Sequence, residues 1–516
     1  MKIIKPVAPL LILIPAIAYI PVSIEILKGL HIGGLSIIFL FITSALNPSI
    51  DPVIIKSALE GLQTTITIAL ISWIISMFFG TFLGVFSSDL FWKNMPNFSM
   101  FGKILKYGLA FPRSIHEVIW GILFIQILGL NAFVAVISIA IPYSALTARI
   151  ISDQLDSIDI NSLTALRRTG ASPASSFITF VFPKLISILS IYGIYRLECA
   201  IRGATLLGIF GLGGIGTELY LTLRSMEFRE MWTFLWFLFF IVIVLDKGTS
   251  FFRNNLLIDI NTRKSIVISL SICLVSLLLS LNWFYHLNSD TFTQFKFTAL
   301  NLPTLSEFRQ VFNDLSLVKL TITTIIITSL ASGIAIGTPP ILLLLFPNKS
   351  CLKLQKITWI FFRLIPPPLS AVMILMFTSP NISVAALSLG ITHMGVMGRL
   401  LTDIIQNQEK DIYQSLKCNG SSNRSAVLYG ILSPKSTSYL AYSSYRVDVI
   451  LKETAIIGAV GGVGLGWQLQ ESLSSFNWAQ VMIIISTFSM LTILGEFISK
   501  NYHNYWLRNS TNNFAH

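Results

Sequence analysis

Charged residues are scarce in this chain of 516 residues, because only 12% are Asp, Glu, Lys or Arg while 53% are hydrophobic. A soluble domain carries about 25% charged residues, so the composition excludes an ordinary water-soluble protein. Apolar runs of about 20 residues, long enough to cross a bilayer, recur along the chain. The formal charge of +12 is typical of Lys and Arg in cytoplasmic loops, and we prefer that interpretation to nucleic-acid binding. The sequence therefore predicts an all-α polytopic membrane protein.

Cysteine and histidine are also few, and both are scattered. The four cysteines (Cys199, Cys273, Cys351 and Cys418) form no CxxC pair, and the six histidines show no metal-ligand spacing. We therefore expect free thiols rather than disulfides, no metal site and no cofactor. The chain also lacks GxxxxGK[ST], the loop that cradles nucleotide phosphates. Any ATP hydrolysis is therefore expected on a separate chain.

A polar helix end followed by a glycine-rich turn occurs twice, at 195–216 and 445–466, with the offset 445 − 195 = 250. The sequence Gly211-x-Gly213-x-x-Gly216 spells a dinucleotide-binding fingerprint, but that motif needs a preceding strand, and here membrane spans flank it. We instead expect the glycines to let the chain turn and two helices pack closely. These conformational glycines are Gly208, Gly211, Gly214, Gly216, Gly458, Gly461, Gly464 and Gly466.

The duplication extends through most of each half. The pairs at an offset of 250 include Arg113/Arg363, Arg149/Arg399, Asp153/Asp403 and Gly170/Gly420. The pairs Thr64/Thr321 and Gly80/Gly337 match at 257, and we expect the change of offset to lie in loops, where insertions are tolerated. We interpret the chain as two repeated units joined by a linker. Their bounds are 1–246 with a core of about 60–246, the linker 247–264, and 265–516 with a core of about 317–498.

Hydropathy predicts six membrane spans in each unit, about twelve in all. The predicted spans are about 6–24, 63–86, 108–130, 132–150, 184–200, 231–246, 265–283, 318–346, 357–378, 381–402, 435–452 and 478–497. The short apolar stretch from Ile37 to Phe41 is predicted to be an interfacial helix. Basic residues concentrate in alternate loops, which places those loops and both chain termini in the cytoplasm. Both units then enter the membrane from the same side, as parallel repeats do.

Each unit carries a polar cytoplasmic loop with a glycine and a proline at matched spacing. In the first loop Pro183 follows Gly170 by 13 residues, and in the second Pro434 follows Gly420 by 14. A glycine suits the C-terminus of a helix, and Pro183 is predicted in the first turn of the fifth span, where its missing N–H is harmless. The sequence therefore predicts a helix–turn–helix elbow in each unit.

This loop resembles the EAA loop of ABC-importer permeases in the MetI-like superfamily. The family pattern is Glu-Ala-Ala, three residues, Gly, nine residues and Ile-x-Leu-Pro; here neither copy keeps the glutamate, and the second copy has one extra residue. The resemblance implies that the loops dock onto the ATPase. The coupling residues that it implies are Ala165, Leu166, Arg167, Arg168, Gly170, Pro183, Ser415, Leu416, Lys417, Gly420 and Pro434.

The segment Pro112–Trp120 and the duplicated glycine segment further resemble the phosphonate-importer branch of that superfamily. The resemblance implies a non-enzymatic transport subunit in a bacterial inner membrane, with two fused permease units that form the pathway in one chain. It also implies two copies of a cytoplasmic ATPase and an extracytoplasmic substrate-binding protein as partners. The cargo would be a phosphonate, phosphite or phosphate.

Several charges lie inside apolar spans, where each costs about 2.5–3.5 kcal/mol on insertion scales. Glu198/Arg202 and Asp448/Lys452 are spaced i,i+4 and can form ion pairs within one helix, as can Arg149/Asp153 and Arg399/Asp403. Arg196 and Arg446 are less easily paired within their own helices. Because a guanidinium forks onto phosphate oxygens, we expect them to line the substrate path, unless they snorkel or bond a carbonyl. Arg202 and Lys452 are further candidates for the substrate path.

Two other functions remain open from the residues alone. Fused permeases for ferric iron also carry two such loops, so the solute could differ. A secondary transporter with two parallel halves would need ion-coupling carboxylates in mid-span, and the sequence shows none that convinces.

Overall fold

The computed structural model describes residues 13–31, 33–94, 99–158, 160–258, 303–406, 411–461 and 463–511, together with 274, 277, 278 and 281. Across this part of the chain the structure consists of helices and connecting turns, with no strand beyond an isolated bridge between Leu30 and Thr378. The predicted all-α fold is confirmed.

The helices fall into two series along the chain. The first series is α1 (Tyr19–Lys28), α2 (Gly34–Ser44), α3 (Pro52–Ser87), α4 (Asp89–Asn94), α5 (Ser99–Gly108), α6 (Ala110–Ser114), α7 (Glu117–Leu128), α8 (Ala132–Asp156), α9 (Ile160–Arg168), α10 (Pro173–Leu207), α11 (Ile215–Arg224) and α12 (Phe228–Ile258). The second is α13 (Leu305–Asp314), α14 (Leu317–Leu345), α15 (Lys349–Leu364), α16 (Pro367–Leu375), α17 (Ile382–Gln406), α18 (Asp411–Cys418), α19 (Asn423–Val427), α20 (Ser433–Gly461), α21 (Gly464–Ser474) and α22 (Trp478–Thr511).

Contacts divide the chain into two units that do not coincide with its two halves. The central unit comprises residues 43–300, and the C-terminal unit comprises 301–516 together with 1–42. In the C-terminal unit a 3₁₀ turn (Ile14–Ala18) and α1 pack on α14. Glycine makes this approach possible, because a Cβ on Gly337 would clash with the backbone of Ala16. The bounds predicted for the two repeated units stay a prediction.

The helix order of the central unit recurs in the C-terminal unit at the predicted offset of 250. Helices α8 and α17 begin at Ala132 and Ile382, and α12 and α22 begin at Phe228 and Trp478. The differences, 382 − 132 and 478 − 228, are both 250. In these helices, residues that lie 250 positions apart in the sequence therefore occupy equivalent places, and the two units can be compared position by position.

The offset predicted for α3 and α14 was wrong by two residues. The Thr65 hydroxyl accepts a hydrogen bond from the Ile215 N–H at 2.9 Å, and the Thr324 hydroxyl accepts one from the Leu465 N–H at 3.1 Å. These equivalent contacts give 324 − 65 = 259, whereas pairing Thr64 with Thr321 and Gly80 with Gly337 gave 257. In each unit a threonine hydroxyl of the long helix meets the start of the short helix, α11 or α21. Because α3 and α14 are mostly apolar, the sequence contains few residues that mark how the two helices align with each other.

The described residues contain five helices long and apolar enough to cross a membrane, or up to eight if each of three bent helix pairs is one span. The five are 52–87, 132–156, 317–345, 382–405 and 478–502. The predicted total of about twelve stays a prediction, because the start of the predicted span 6–24 and nearly all of 265–283 fall outside the described residues. The predicted interfacial helix around Ile37 lies within α2.

The third predicted span, 108–130, is broken rather than straight. Helices α5 and α6 lead to Ser114, and α7 starts at Glu117 after a bend of 81°. Ile115 and His116 are extended, with ψ of 129° and 148°, and the His116 side chain caps α7 by accepting from the Val118 N–H. In the C-terminal unit, Pro366 and the prolines after it stand at the equivalent break.

Candidate coupling loops and buried polar clusters

The first candidate coupling loop is a helix–turn–helix, as predicted. Helix α9 ends at Arg168, and Gly170 turns the chain with φ of +91°, a conformation that glycine adopts without strain. The Ser172 hydroxyl then caps α10 by accepting from the Ser175 N–H at 3.2 Å. Leu163 is buried against Leu155 of α8 and Val181 of α10. The loop helix is therefore anchored to the spans on either side of it.

Pro183 does not open a new span. It lies inside α10, which runs without a break from Pro173 to Leu207. Pro173 occupies the first turn, where its missing N–H is harmless, so the helix starts ten residues before the predicted place. The predicted position of Pro183 was wrong because two prolines compete for the helix start and the earlier one has the serine cap.

The second loop has the same plan with one local difference. Gly420 turns the chain with φ of +80°, and Ser422 caps α19 through the Ser425 N–H. A π-helical turn at Leu428–Leu432 then leads into α20, with Pro434 in the first turn. A π turn accommodates one residue more than the corresponding α turn. The extra residue between Gly420 and Pro434 is therefore absorbed there.

Both loops expose a mixed basic and apolar face. Ala165, Arg167, Arg168 and Ser415 are exposed, while Leu166, Leu416 and Lys417 are half-buried. Beside them, exposed apolar side chains continue the face: Ile178 and Phe182 in the central unit, and Ile412 and Tyr429 in the C-terminal unit. Such a face can pack against another protein while the loop stays anchored from behind.

The glycine turn bends the chain where α10 meets α11. Gly211, Gly213 and Gly214 have φ near +90°, and the helices on either side are bent by 53°. A Cβ on Gly216 would clash with the Thr205 carbonyl oxygen, and a Cβ on Gly208 would lie 2.9 Å from the Gly216 Cα. These glycines are therefore required by backbone conformation or by close approach, as predicted.

The second glycine turn solves the same problem with fewer unusual φ angles. Gly464 has φ of +77°, and Gly458 and Gly466 lie backbone to backbone, so a Cβ on Gly458 would clash. Gly461 is the last residue of α20. Both turns thus place a short helix directly against the helix that carries the buried charges.

A polar cluster is buried between α7, α8 and α10 of the central unit. The Arg196 guanidinium donates to the Tyr192 hydroxyl at 2.6 and 3.1 Å and lies 4.4 Å from the centre of the Tyr143 ring. The Tyr143 hydroxyl in turn donates to Glu117 Oε1 at 3.2 Å. His116 Nδ1 lies 3.3 Å from Glu117 Oε2.

A corresponding cluster lies between α17 and α20 of the C-terminal unit. His393 Nε2 is 3.0 Å from Glu453 Oε2, and His393 is only 2% exposed. Arg446, at the position equivalent to Arg196, is 7% exposed, and its guanidinium lies 6.0 Å from the Tyr442 ring. Both candidate arginines are thus inside their own units.

The predicted ion pairs within helices are confirmed. Glu198 and Arg202 approach to 3.2 Å and Asp448 and Lys452 to 3.0 Å; Arg149/Asp153 and Arg399/Asp403 are at 3.5 and 3.6 Å. Arg196, which was predicted to be less easily paired within its own helix, does have a partner there. Tyr192, one turn earlier, supplies that partner through its hydroxyl, a contact that a search for opposite charges does not find.

Four residues of the clusters were missed from the sequence. Glu117 lies in the segment Pro112–Trp120, but the resemblance of that segment predicts no separate role for it. Tyr143, His393 and Glu453 are not among the predicted site residues. A signal existed, since Tyr143 and His393 are 250 residues apart and Glu453 stands 250 after a glycine. The residue types differ between the two copies, so a search for identical pairs passes over them.

No family model and no solved structure matches the chain. Among curated proteins, the phosphite transport system permease protein PtxC of Stutzerimonas stutzeri is 28% identical over 143 residues, which is 28% of this chain and 52% of PtxC. The chain thus spans about half the length of that relative. The phosphate-import permease protein PhnE of Mycolicibacterium smegmatis is 21% identical over 388 residues, 72% of this chain and 71% of PhnE.

A third relative is PhnE2 of Escherichia coli, described provisionally as a cryptic phosphonate transport system permease protein. It is 28% identical over 120 residues, which is 22% of this chain and 98% of PhnE2. The long apolar helices and these relatives indicate a multi-pass inner-membrane protein. More narrowly, the chain is similar to permease proteins named for the transport of phosphite, phosphate and phosphonate. The predicted resemblance is confirmed by these relatives, and ferric-iron permeases and secondary transporters are not favoured.

Proposed function

We propose that this chain is the transmembrane permease of an ATP-driven importer for a phosphorus oxyanion. The observation that carries the proposal is the agreement among its relatives, which are named for the transport of phosphite, phosphate and phosphonate. These solutes share a tetrahedral phosphorus with anionic oxygens. A chain that passes any of them must carry an anion across a low-dielectric barrier, where fixed positive charge lowers the cost.

The candidate contacts for such an anion are Arg196 and Arg446, with Arg202 and Lys452 as further candidates. Both arginines are buried at equivalent places in spans of their units, and a guanidinium matches phosphate oxygens in a two-pronged geometry. Arg202 and Lys452 are each engaged by a carboxylate one turn away, which makes them weaker candidates.

The partners in this proposal are a cytoplasmic ATPase, in two copies, and a substrate-binding protein outside the membrane. The two loops with their exposed faces around Ala165 and Ser415 are suited to dock one ATPase subunit each. In this arrangement both chain termini lie in the cytoplasm. ATP hydrolysis belongs to the ATPase, and this chain alternates the access of the pathway.

We further propose that the chain is two fused permease units. An alignment of 143 residues covers 28% of this chain but 52% of PtxC, so PtxC is about half as long. The alignment with PhnE covers nearly equal shares of both chains, so PhnE has about the same length. The repeated helix order at an offset of 250 supports the same conclusion.

The test is uptake by cells that lack their own importers for these anions and that express the chain with its ATPase and binding protein. We expect uptake of labelled phosphite, phosphate or methylphosphonate that needs all three components. The control is an ATPase unable to hydrolyse ATP, which should abolish uptake. Uptake of none of the three anions by the complete assembly would contradict the proposal.

A further inference from the structure

A carboxylate lies beside the same ring position in both units, although different helices supply it. In the central unit Glu117 of α7 accepts a hydrogen bond from the Tyr143 hydroxyl of α8 at 3.2 Å. In the C-terminal unit Glu453 of α20 lies 3.0 Å from the imidazole of His393 on α17. Tyr143 and His393 are equivalent, because 393 − 143 = 250.

The two carboxylates occupy corresponding space. The residue equivalent to Glu453 is Gly203, since 453 − 203 = 250, and a Cβ built on Gly203 would lie 3.3 Å from Glu117 Oε1 and 3.4 Å from the Tyr143 hydroxyl. A side chain at position 203 would thus enter the place that the Glu117 carboxylate already fills. Conversely, the residue equivalent to Glu117 is Pro367, which brings no carboxylate. Each unit has one carboxylate at this place.

The charges of the two clusters also match in kind. Each cluster, defined by five side chains, contains two cations, two carboxylates and one imidazole. The central cluster is Arg196, Arg202, Glu117, Glu198 and His116, and the C-terminal cluster is Arg446, Lys452, Asp448, Glu453 and His393. A buried charge is costly in a membrane, and apolar packing could fill the same volume. The two clusters contain the same kinds of charged side chain, although one carboxylate and the imidazole come from different positions. This agreement indicates that charge balance, rather than a particular packing shape, is required.

The carboxylate stands close to the arginine of the candidate path. In the central unit the Tyr143 hydroxyl binds Glu117, and the Arg196 guanidinium lies 4.4 Å from the centre of the Tyr143 ring. In the C-terminal unit Glu453 follows Arg446 by seven residues, so the two lie on one face of α20, about 10 Å apart along the axis. The carboxylate therefore acts on the electrostatics of the path without needing to touch the cargo.

We propose that Glu117 and Glu453 are equivalent positioning residues. Each places one carboxylate against the ring at position 143 or 393, holds that ring beside the helix that carries the arginine, and balances the arginine's charge. This inference rests on the proposed function. Without the carboxylate the cluster has a net positive charge, so a passing oxyanion is retained longer and released more slowly.

The test moves the carboxylate from one helix to the other within the central unit. We expect Glu117→Ala to lower the maximal rate of oxyanion uptake at least tenfold, and Glu117→Ala/Gly203→Glu to return it to within threefold of the wild type. Gly203→Glu alone should be impaired, because two carboxylates would then share one place and repel each other. The amount of folded protein in the membrane is measured for every variant.

The kinetic constants separate charge balance from a structural role. If the oxyanion is held too tightly, Glu117→Ala lowers both the maximal rate and the half-saturating oxyanion concentration, and the neutral Glu117→Gln does the same although it still accepts from Tyr143. A merely structural lesion reduces the number of working molecules and leaves the half-saturating concentration unchanged. An unchanged half-saturating concentration, or a double variant no better than Glu117→Ala at equal protein level, would overturn the proposal.

A second pair of variants guards against a failure to fold. In the C-terminal unit Glu453→Gly is compared with Glu453→Gly/Pro367→Glu, and the double variant is expected to recover uptake in the same way. If the central variants do not accumulate in the membrane, a failure of this C-terminal double variant to recover uptake overturns the proposal. If the wild-type assembly takes up no oxyanion, the proposed function fails. The relocation is then judged by thermal stability in detergent, where the double variant must unfold at a higher temperature than the single one.

Discussion

Arg196 illustrates how a single buried charge is accommodated in this protein. Its guanidinium donates to the Tyr192 hydroxyl and lies over the Tyr143 ring. Arg202, six residues further along the same helix, pairs with the Glu198 carboxylate at 3.2 Å.

The first residue-scale prediction concerns the two candidate arginines. Arg196→Gln/Arg446→Gln should lower oxyanion uptake by about ten- to a hundredfold, because a hydrogen bond to a charged group contributes roughly 1.5–3 kcal/mol and 1.4 kcal/mol is a factor of ten. The control removes two exposed cations instead, in Lys56→Gln/Lys319→Gln. Uptake by the arginine variant equal to that of the control would refute a role for the pair.

A second residue-scale prediction concerns the glycine turn. Gly216→Ala should lower stability by about 1–3 kcal/mol, because its Cβ would clash with the Thr205 carbonyl oxygen. Gly108→Ala is the matched control, since a Cβ there meets nothing within 4 Å. Thermal unfolding in detergent measures both, and equal unfolding temperatures would show that α10 and α11 can separate at little cost.

At the scale of elements, the two coupling loops differ by the π turn before α20. The wider turn lets Gly430 lie against the loop helix, where a Cβ would come within 2.9 Å of the Tyr413 Cα. The register between loop and span is therefore set by one residue of chain length. In the central unit α10 is continuous through the corresponding place, so the two loops hold their exposed faces by different means.

Deleting Tyr429 should uncouple the second loop. Loss of one residue turns the π turn into an α turn and rotates the loop by about 100° relative to α20, at 3.6 residues per turn. We expect the complex to retain less ATPase during purification and to lose uptake. Tyr429→Ala keeps the length and is the control; if it loses as much ATPase as the deletion, the side chain rather than the register is responsible.

Which elements could be foreseen from the sequence depended on whether polar residues or glycines marked them. The glycine turns, the loop helices and the ion pairs Glu198/Arg202 and Asp448/Lys452 follow from short-range spacing. The alignment of α3 with its equivalent α14 did not follow, because the contact that marks it joins the Thr65 hydroxyl to a backbone N–H 150 residues away. The exchange of Glu117 for Glu453 was hidden as well, since neither carboxylate has an identical residue at the equivalent position.

At the scale of the whole molecule, the two contact units cut across the two halves of the sequence. Residues 1–42 pack with 301–516. If the chain is cut after Ile258 and both pieces are expressed together, we expect the pieces to copurify and to transport, because the first piece carries part of the C-terminal unit. A cut after Ile158, within the central unit, is the control and should abolish transport. Failure of the first pair to associate would contradict the packing of residues 1–42 with 301–516.

The packing of the 3₁₀ turn at Ile14–Ala18 on Gly337 cannot form until the ribosome has synthesised α14. Ala16 leaves the ribosome 321 residues before its partner, since 337 − 16 = 321. At about 5–20 residues per second, translation takes roughly 15–60 s to close that interval. During this time α1 lacks its final neighbours. A helper protein of membrane insertion would therefore find its substrate among the first helices of this chain rather than the last.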